Sequence, residues 1–160
     1  MTFFEDIRVG DVLGGGRYTF TAEVIKSFAR RFDPQPFHTD EAAARDSHFG
    51  ALCASGWHTT TVWMRLMVDQ MRAAEDAAKA RGERVPRIGP ALGLRDLRWL
   101  KPVYAGDTLD YRREVVETRV SNSRPDFGLV TSRTTATNQN GEPVLSFKST
   151  TFVERRQQQA

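Results

Sequence analysis

An acid and an imidazole lie five residues apart in the sequence FDPQPFH at residues 32–38. Each proline fixes its own φ and moves the preceding residue out of the helical region, so Asp33 and Gln35 are predicted to be extended. A fully extended path would span roughly 16 Å, so the side chains of Asp33 and His38 meet only if the segment turns. Such a pair can activate water by acid–base catalysis. The alternative interpretation is a capped turn before a short helix, with His38 in a structural role.

A second candidate group is the backbone of Gly56, at the predicted start of a helix that runs to about Arg81, before Gly82. The first N–H groups of a helix have no helical acceptor and lie at its positive end, so a ligand oxygen can bind there. The alternative interpretation is a glycine that only permits close packing. Ser55 is predicted to cap this helix and is also a candidate for substrate contact.

The elements that position these groups follow from hydrophobic periodicity and turn residues. Apolar residues cover most of the circumference of the first half of the helix, so this half is predicted to be buried on nearly all sides. These residues are Val62, Trp63, Met64, Leu66, Met67, Val68 and Met71.

Strands are predicted at residues 17–20, 92–100, 108–120, 127–138 and 143–153. A small helix capped by Thr21 follows the first strand, and Asn140-Gly141 joins the last two strands as a hairpin. The glycines at 14–16 are predicted to form a flexible turn. This order predicts an α+β domain in which a curled antiparallel sheet wraps around one long central helix.

Three segments, at residues 33–38, 54–57 and 97–109, resemble those of the MaoC-like dehydratases, which include the R-specific enoyl-CoA hydratases and adopt the hotdog fold. The first is similar to the family signature of Asp, any residue, Asn, Pro, an apolar residue and His. The second matches the glycine that opens the central helix, and the third matches a strand–Pro-Val–Gly-Asp–strand passage. Gln35 replaces the usual asparagine, and Phe32 replaces the usual glycine before the acid.

The resemblance implies a single hotdog domain over residues 1–154, followed by a polar tail at 155–160. It implies that Asp33 and His38 activate the water that adds to a trans-2-enoyl thioester, or that leaves in the reverse dehydration. The N–H of Gly56 would bind the thioester carbonyl oxygen, and Ser55 and Gln35 are the further substrate-binding candidates. A hotdog thioesterase and a non-catalytic acyl-CoA-binding subunit remain as alternative functions.

The resemblance also implies the partners of the protein. Coenzyme A, or an acyl-carrier protein, would be part of the substrate in fatty acid metabolism, with no separate cofactor. The broad sheet edge of a hotdog domain indicates a homo-oligomer, at least a dimer.

Other kinds of site have little support in the sequence. One cysteine cannot build a zinc site, and His48 and His58 lack a second ligand at metal spacing, so no metal is expected. His58 is predicted to be a hydrogen-bonded core residue, or else to face the acyl pocket. No Gly-x-Ser-x-Gly sequence occurs, which disfavours a serine hydrolase.

The composition is typical of one enzyme domain of 160 residues. The net charge is +3, and the arginines are interspersed with acids rather than clustered, so a nucleic-acid partner is not expected. No apolar run approaches the length that spans a membrane, and nothing resembles a signal peptide. With a single cysteine, these features predict a cytoplasmic protein without a membrane partner.

Overall fold

Five antiparallel strands and one long helix dominate the computed structural model, which describes residues 2–156. The strands are β1 (Val12–Thr19), β2 (Ile88–Trp99), β3 (Thr108–Val120), β4 (Phe127–Thr137) and β5 (Pro143–Glu154), in the spatial order β1-β3-β4-β5-β2. The helices are α1 (Ala22–Phe32), α2 (Pro36–Thr39), α3 (Glu41–Arg45) and α4 (Gly56–Ala80), after a 3-10 turn at Phe4–Asp6. This architecture confirms the predicted α+β class with a hotdog arrangement of sheet and helix.

The hairpin between β4 and β5 forms where the sequence predicts it. Gly141 has φ +77°, which a side chain would disfavour, and its N–H donates to the carbonyl of Asn138 at 3.0 Å. The side-chain oxygen of Asn138 accepts from the N–H groups of Asn140 and Glu142. This turn sets the register of β5 against β4, and β5 pairs with β2 on its other side.

The glycines at 14–16 lie inside β1, so the prediction of a flexible turn is wrong. A Cβ on Gly15 would overlap the carbonyl oxygen of Tyr111 on β3, and one on Gly16 would lie 3.4 Å from Leu66 of α4. The pairing of β1 with β3 is irregular between Val12 and Gly15. The glycines therefore allow β1 to approach both its neighbouring strand and the long helix, which extends this strand well before residue 17.

Helix α4 has the predicted limits but not the predicted burial. The Ser55 hydroxyl caps it by accepting from the N–H of Trp57 at 3.2 Å, and Gly82 ends it with φ +70°. Val62 and Trp63 pack in the core, and Trp63 meets Phe147 of β5 with ring centroids 4.7 Å apart. Met64, however, is 41% exposed, because the sheet of this chain covers only one side of the helix.

The ends of the described chain are held by ion pairs. The buried carboxylate of Glu154 pairs with Arg84 and Arg87, at 2.8 and 3.1 Å. Arg155 and Arg156 pair with acids of the 3-10 turn, at 3.2 and 2.6 Å. Residues 157–160 of the predicted polar tail lie outside the described residues.

Within residues 2–156, no helix is both long enough and apolar enough to cross a membrane.

Candidate active site

The acid and the imidazole are positioned by the ends of two short helices. Asp33 ends α1, with φ −154°, and its N–H donates to the carbonyl of Ala29 at 2.9 Å. Gln35 then precedes Pro36, which begins the one-turn helix α2. The N–H of His38 donates to the carbonyl of Gln35 at 2.9 Å. The two prolines therefore produce a rigid turn, and the chain reverses within six residues.

The turn brings Nε2 of His38 to 3.5 Å from Oδ2 of Asp33. This separation exceeds an ordinary hydrogen bond, so the two groups converge on a shared point rather than bond tightly to each other. The His38 side chain is buried, whereas Asp33 is partly accessible. The structure therefore shows both side chains facing one accessible position.

The other ring nitrogen determines the tautomer of His38. Nδ1 lies 2.7 Å from the carbonyl oxygen of Cys53, and a carbonyl can only accept, so Nδ1 carries the proton. In the neutral ring Nε2 then has a lone pair that faces Asp33. Cys53 is itself anchored by an isolated β-bridge with Tyr104. Burial raises the pKa of the Cys53 thiol to about 11, so the thiol is neutral beside the ring.

The carboxylate of Asp33 is held in its ionised form. Burial raises its pKa, but hydrogen bonds from the Ser55 hydroxyl and the Gln35 amide, with a smaller attraction to the His38 ring when that ring is protonated, outweigh this effect. The pKa of Asp33 therefore lies below its ordinary value. The Gln35 amide donates to Oδ1 at 2.8 Å. Gln35 thus orients the acid. The family signature has asparagine at position 35.

The acid, the imidazole and the start of α4 line one cavity of about 470 Å³. Its wall also includes Ser55, Gly56 and Trp99. The N–H of Gly56 has no acceptor within the described part of the chain, as expected for the first residue of a helix. The volume is within the range of small-molecule sites. All five candidate residues from the sequence therefore meet at this cavity.

Close packing at Gly56 is also present. A Cβ there would lie 2.5 Å from the indole ring of Trp99, and the Trp99 Nε1–H donates to the Thr60 hydroxyl at 3.2 Å. Trp57 meets Trp99 edge to face, with ring centroids 5.2 Å apart. Gly56 therefore permits close packing with Trp99, and this packing does not occupy its N–H.

Sequence reasoning missed Trp99 and Lys101 as parts of this wall. Lys101 lies at the cavity and forms an ion pair with Glu142 of the β4–β5 turn. Both residues belong to the passage at 97–109, which the sequence assigns to a strand and a turn but not to the site. Their position depends on β2 lying at the sheet edge beside the start of α4, which no local signal indicates.

His58 is a core residue, but its predicted hydrogen bond is absent. Its Nδ1 is buried without a partner in the described part of the chain, and the ring stacks on Phe28 with centroids 4.4 Å apart. Burial, with a smaller effect of His38, lowers the pKa of His58 to about 4. His58 is therefore neutral, and its ring packs against an aromatic side chain. It does not line the cavity.

We expect His58 to make unfolding stability depend on pH. The pKa of His58 is about 4 in the folded protein, against about 6.5 in the unfolded chain. Its contribution to the free energy of unfolding is therefore complete above pH 6.5 and is lost as pH falls towards 4. Between pH 7.5 and pH 5 this loss is about 2 kcal/mol. Urea unfolding at both pH values should show that His58→Leu loses about 2 kcal/mol less unfolding free energy than wild type does. His48→Gln, at an exposed histidine, is the matched control and should keep the full loss.

Comparisons with known proteins agree with this geometry. The family model of the MaoC like domain matches residues 8–139. The MaoC-like dehydratase from Rhodospirillum rubrum has a TM-score of 0.80 at 39% identity, covering 99% of this chain and 100% of that one. The R-hydratase PhaJ1 from Pseudomonas aeruginosa shares the fold, with a TM-score of 0.69 at 24% identity over 96% of this chain and 86% of that one.

The mesaconyl-CoA hydratase of Cereibacter sphaeroides is 40% identical over 79 residues, which cover 47% of this chain and 23% of that protein. The matched segment thus spans about a fifth of the length of the mesaconyl-CoA hydratases that the chain resembles. The family match, in contrast, extends over most of the chain and includes the acid, the imidazole and the start of α4. With the close structural match to the Rhodospirillum rubrum protein, this shows that the chain belongs to the MaoC-like domain family.

Proposed function

We propose that this protein is a hydro-lyase that adds water to a trans-2-enoyl thioester, or removes water from a 3-hydroxyacyl thioester. The observation that carries the proposal is the meeting of three groups in one cavity. Nε2 of His38 and the carboxylate of Asp33 lie 3.5 Å apart, and Gly56, whose N–H has no acceptor within residues 2–156, lines the same space. Two acceptors for the protons of water and one donor for a carbonyl oxygen are the groups that this addition needs.

In the proposed mechanism, one water lies between His38 and Asp33 and donates a hydrogen bond to each. Its oxygen attacks C3 of the enoyl group, and its proton passes to the His38–Asp33 pair. The π electrons move towards C2 and the thioester oxygen, where the N–H of Gly56 stabilises the developing charge. The pair then returns a proton to C2, so water is added without a change in oxidation state.

The roles follow from the hydrogen bonds around each group. The carbonyl of Cys53 holds the His38 ring with its lone pair on Nε2, and Gln35 and Ser55 keep Asp33 oriented and ionised. Acid–base help of this kind contributes about 10²–10⁴-fold in rate. One oxyanion donor contributes about 3 kcal/mol of transition-state stabilisation. The reaction needs no separate cofactor, because no electrons or groups other than water are transferred.

The proposed substrate is an acyl-CoA. The support comes from relatives, namely the mesaconyl-CoA hydratases that match part of this chain. The Mycobacterium tuberculosis HadBC complex, a 3R-hydroxyacyl-ACP dehydratase with the same fold, acts on a carrier-protein thioester instead. Parallel assays with crotonyl-CoA and a crotonyl carrier protein distinguish these two carriers.

The test is the loss of enoyl-thioester absorbance with crotonyl-CoA, together with a free-thiol assay on the same sample. A hydratase should remove the absorbance without releasing thiol. Release of thiol would instead identify a thioesterase. Tight binding without either change, over a panel of longer and branched thioesters, would identify a non-catalytic acyl-CoA-binding subunit.

We also propose that the protein is a homodimer that pairs through β2. This strand lies at the edge of the sheet, and its apolar residues Leu92 and Trp99 are 61% and 46% exposed. Trp57 and Met64 of α4 add further exposed apolar surface. An exposed apolar edge strand favours pairing with a second strand, and most oligomers of one chain are two-fold symmetric.

Light scattering after size-exclusion chromatography should therefore give twice the mass of one chain. Leu92→Lys places a charge on the exposed edge and should shift the protein to monomer. Val9→Lys is the matched control, because Val9 is equally exposed but lies before β1. A wild-type monomer, or a Leu92→Lys dimer of unchanged affinity, would contradict the proposed interface.

A further inference from the structure

A second cavity, of about 360 Å³, lies between the later part of α4 and the sheet. Three methionines of the helix, Met64, Met67 and Met71, form one wall, and Val130 and Val153 belong to the facing strands. It shares no lining residue with the cavity that contains Asp33 and His38. Its size is within the range of small-molecule sites, and its lining is mainly apolar.

One cation, Arg113, lines this apolar space. Arg113 lies on β3 between Tyr111 and Val115, which are both buried. Because alternate residues of a strand share a face, Arg113 points to the helix side of the sheet, and its neighbour Arg112 points to solvent. The only side-chain hydrogen bond of Arg113 in the described part of the chain is a 3.5 Å contact with the carbonyl of Leu13.

The guanidinium has no counter-ion within residues 2–156. Among these residues no carboxylate oxygen lies within 4.0 Å of the guanidinium, and no acidic residue lines the cavity. Burial lowers the pKa of Arg113, but a guanidinium remains protonated at neutral pH. Arg113 is half-buried, and a charge that is partly removed from water without a partner is unfavourable, so such charges are normally paired in proteins. The cavity thus has a place for an anion that this chain does not fill.

We propose that the second cavity binds a carboxylate carried on an apolar chain, with Arg113 as its counter-ion. The fork of a guanidinium matches the two oxygens of a carboxylate. Ser132 and Thr151 also line the cavity and can donate hydrogen bonds, and the methionines adapt their shape to a flexible chain. The carboxylate belongs either to a free acid or to the far end of a longer substrate. Only this second source rests on the proposed hydratase function.

Methionine methyl groups report directly on the site, because the chain has four methionines and three of them line the cavity. With ¹³C-methyl methionine, titration of octanoate should shift the signals of Met64, Met67 and Met71. Uncharged octanamide should bind at least ~10-fold more weakly, because it lacks the charge that pairs with the guanidinium. This comparison uses the wild-type protein, so it does not depend on how a variant folds.

Arg113→Gln should weaken octanoate binding at least ~10-fold, whereas Arg112→Gln, on the solvent side of the same strand, should bind as wild type does. Equal affinity for octanoate and octanamide, unchanged affinity in Arg113→Gln, or no methyl shift at millimolar octanoate would each overturn the proposal. These measurements need no catalysis, so a failure of the hydratase proposal leaves them unaffected.

Kinetics distinguishes the two sources of the carboxylate. The substrates are trans-2-octenoyl-CoA and the same thioester with a carboxylate at its far end. A gain in kcat/KM of at least ~10-fold from the carboxylate, cancelled in Arg113→Gln, would identify the substrate as the source. Octanoate binding without such a gain would identify a free acid, and both outcomes support the site.

Discussion

Asp33→Asn is expected to lower kcat for enoyl-thioester hydration by at least ~10²-fold, with a melting temperature close to that of wild type. Asparagine keeps the shape of the side chain, and its oxygen can still accept the hydrogen bond of the Gln35 amide. Its amide nitrogen, however, donates where the carboxylate accepts, and it cannot take a proton from water. Initial rates with crotonyl-CoA and thermal unfolding of the same samples test this expectation.

His38→Gln should have an effect of similar size, for a complementary reason. The glutamine amide can donate to the carbonyl of Cys53, as Nδ1 of the ring does at 2.7 Å. It offers no basic nitrogen to the water, so acid–base help is lost. Asp46→Asn and His48→Gln make the same chemical changes at exposed positions near this segment and should remain active.

Full activity in Asp33→Asn or His38→Gln would refute the catalytic assignment of that residue. A large fall in melting temperature along with the rate would instead point to a structural role, the alternative that the sequence left open for His38. Because the two groups share one water in the proposed mechanism, the double variant should be little slower than either single variant.

Gly56→Ala should lower both stability and activity, because it adds a methyl group 2.5 Å from the ring of Trp99. Overpacking of this kind destabilises by about 1–3 kcal/mol. The alanine keeps its N–H, but the start of α4 has to move, and a displacement of about 1 Å at a catalytic group can lower the rate about 10²-fold. Urea unfolding and kcat/KM with crotonyl-CoA measure the two effects.

A second substitution separates packing from catalysis at this position. In a Trp99→Ala background the clash is absent, so Gly56→Ala should cost less than 1 kcal/mol there, a clear departure from additivity. Its effect on kcat/KM should shrink in parallel if the N–H returns to its place. Equal effects of Gly56→Ala in both backgrounds would show that contact with Trp99 does not explain the need for glycine.

Elements encoded by short-range signals were predictable. The limits of α4 follow from the cap at Ser55 and the stop at Gly82, and the β4–β5 hairpin follows from Asn140-Gly141. Residues 33–38 likewise turn because two prolines restrict the backbone. In each case the physical cause acts between residues a few positions apart, so the sequence contains it directly.

Features that depend on distant segments were not predictable. The glycines at 14–16 resemble a turn by composition, yet they permit β1 to approach Tyr111, about a hundred residues away. His58 stacks on Phe28 instead of forming a hydrogen bond to Nδ1. Trp99 reaches Gly56 only because β2 lies at the sheet edge beside α4.

The sequence by itself determined the limits of α4, the β4–β5 hairpin, and the acid and imidazole on one turn, because caps, turn residues and prolines act locally. Only the tertiary structure decided the tautomer of His38, through the carbonyl of Cys53, and the packing of the Trp99 ring against Gly56. It also decided that Arg113 faces an apolar cavity with no counter-ion in the part of the chain that the structure describes. These properties arise from contacts between segments far apart in the chain, which packing of the whole fold brings together.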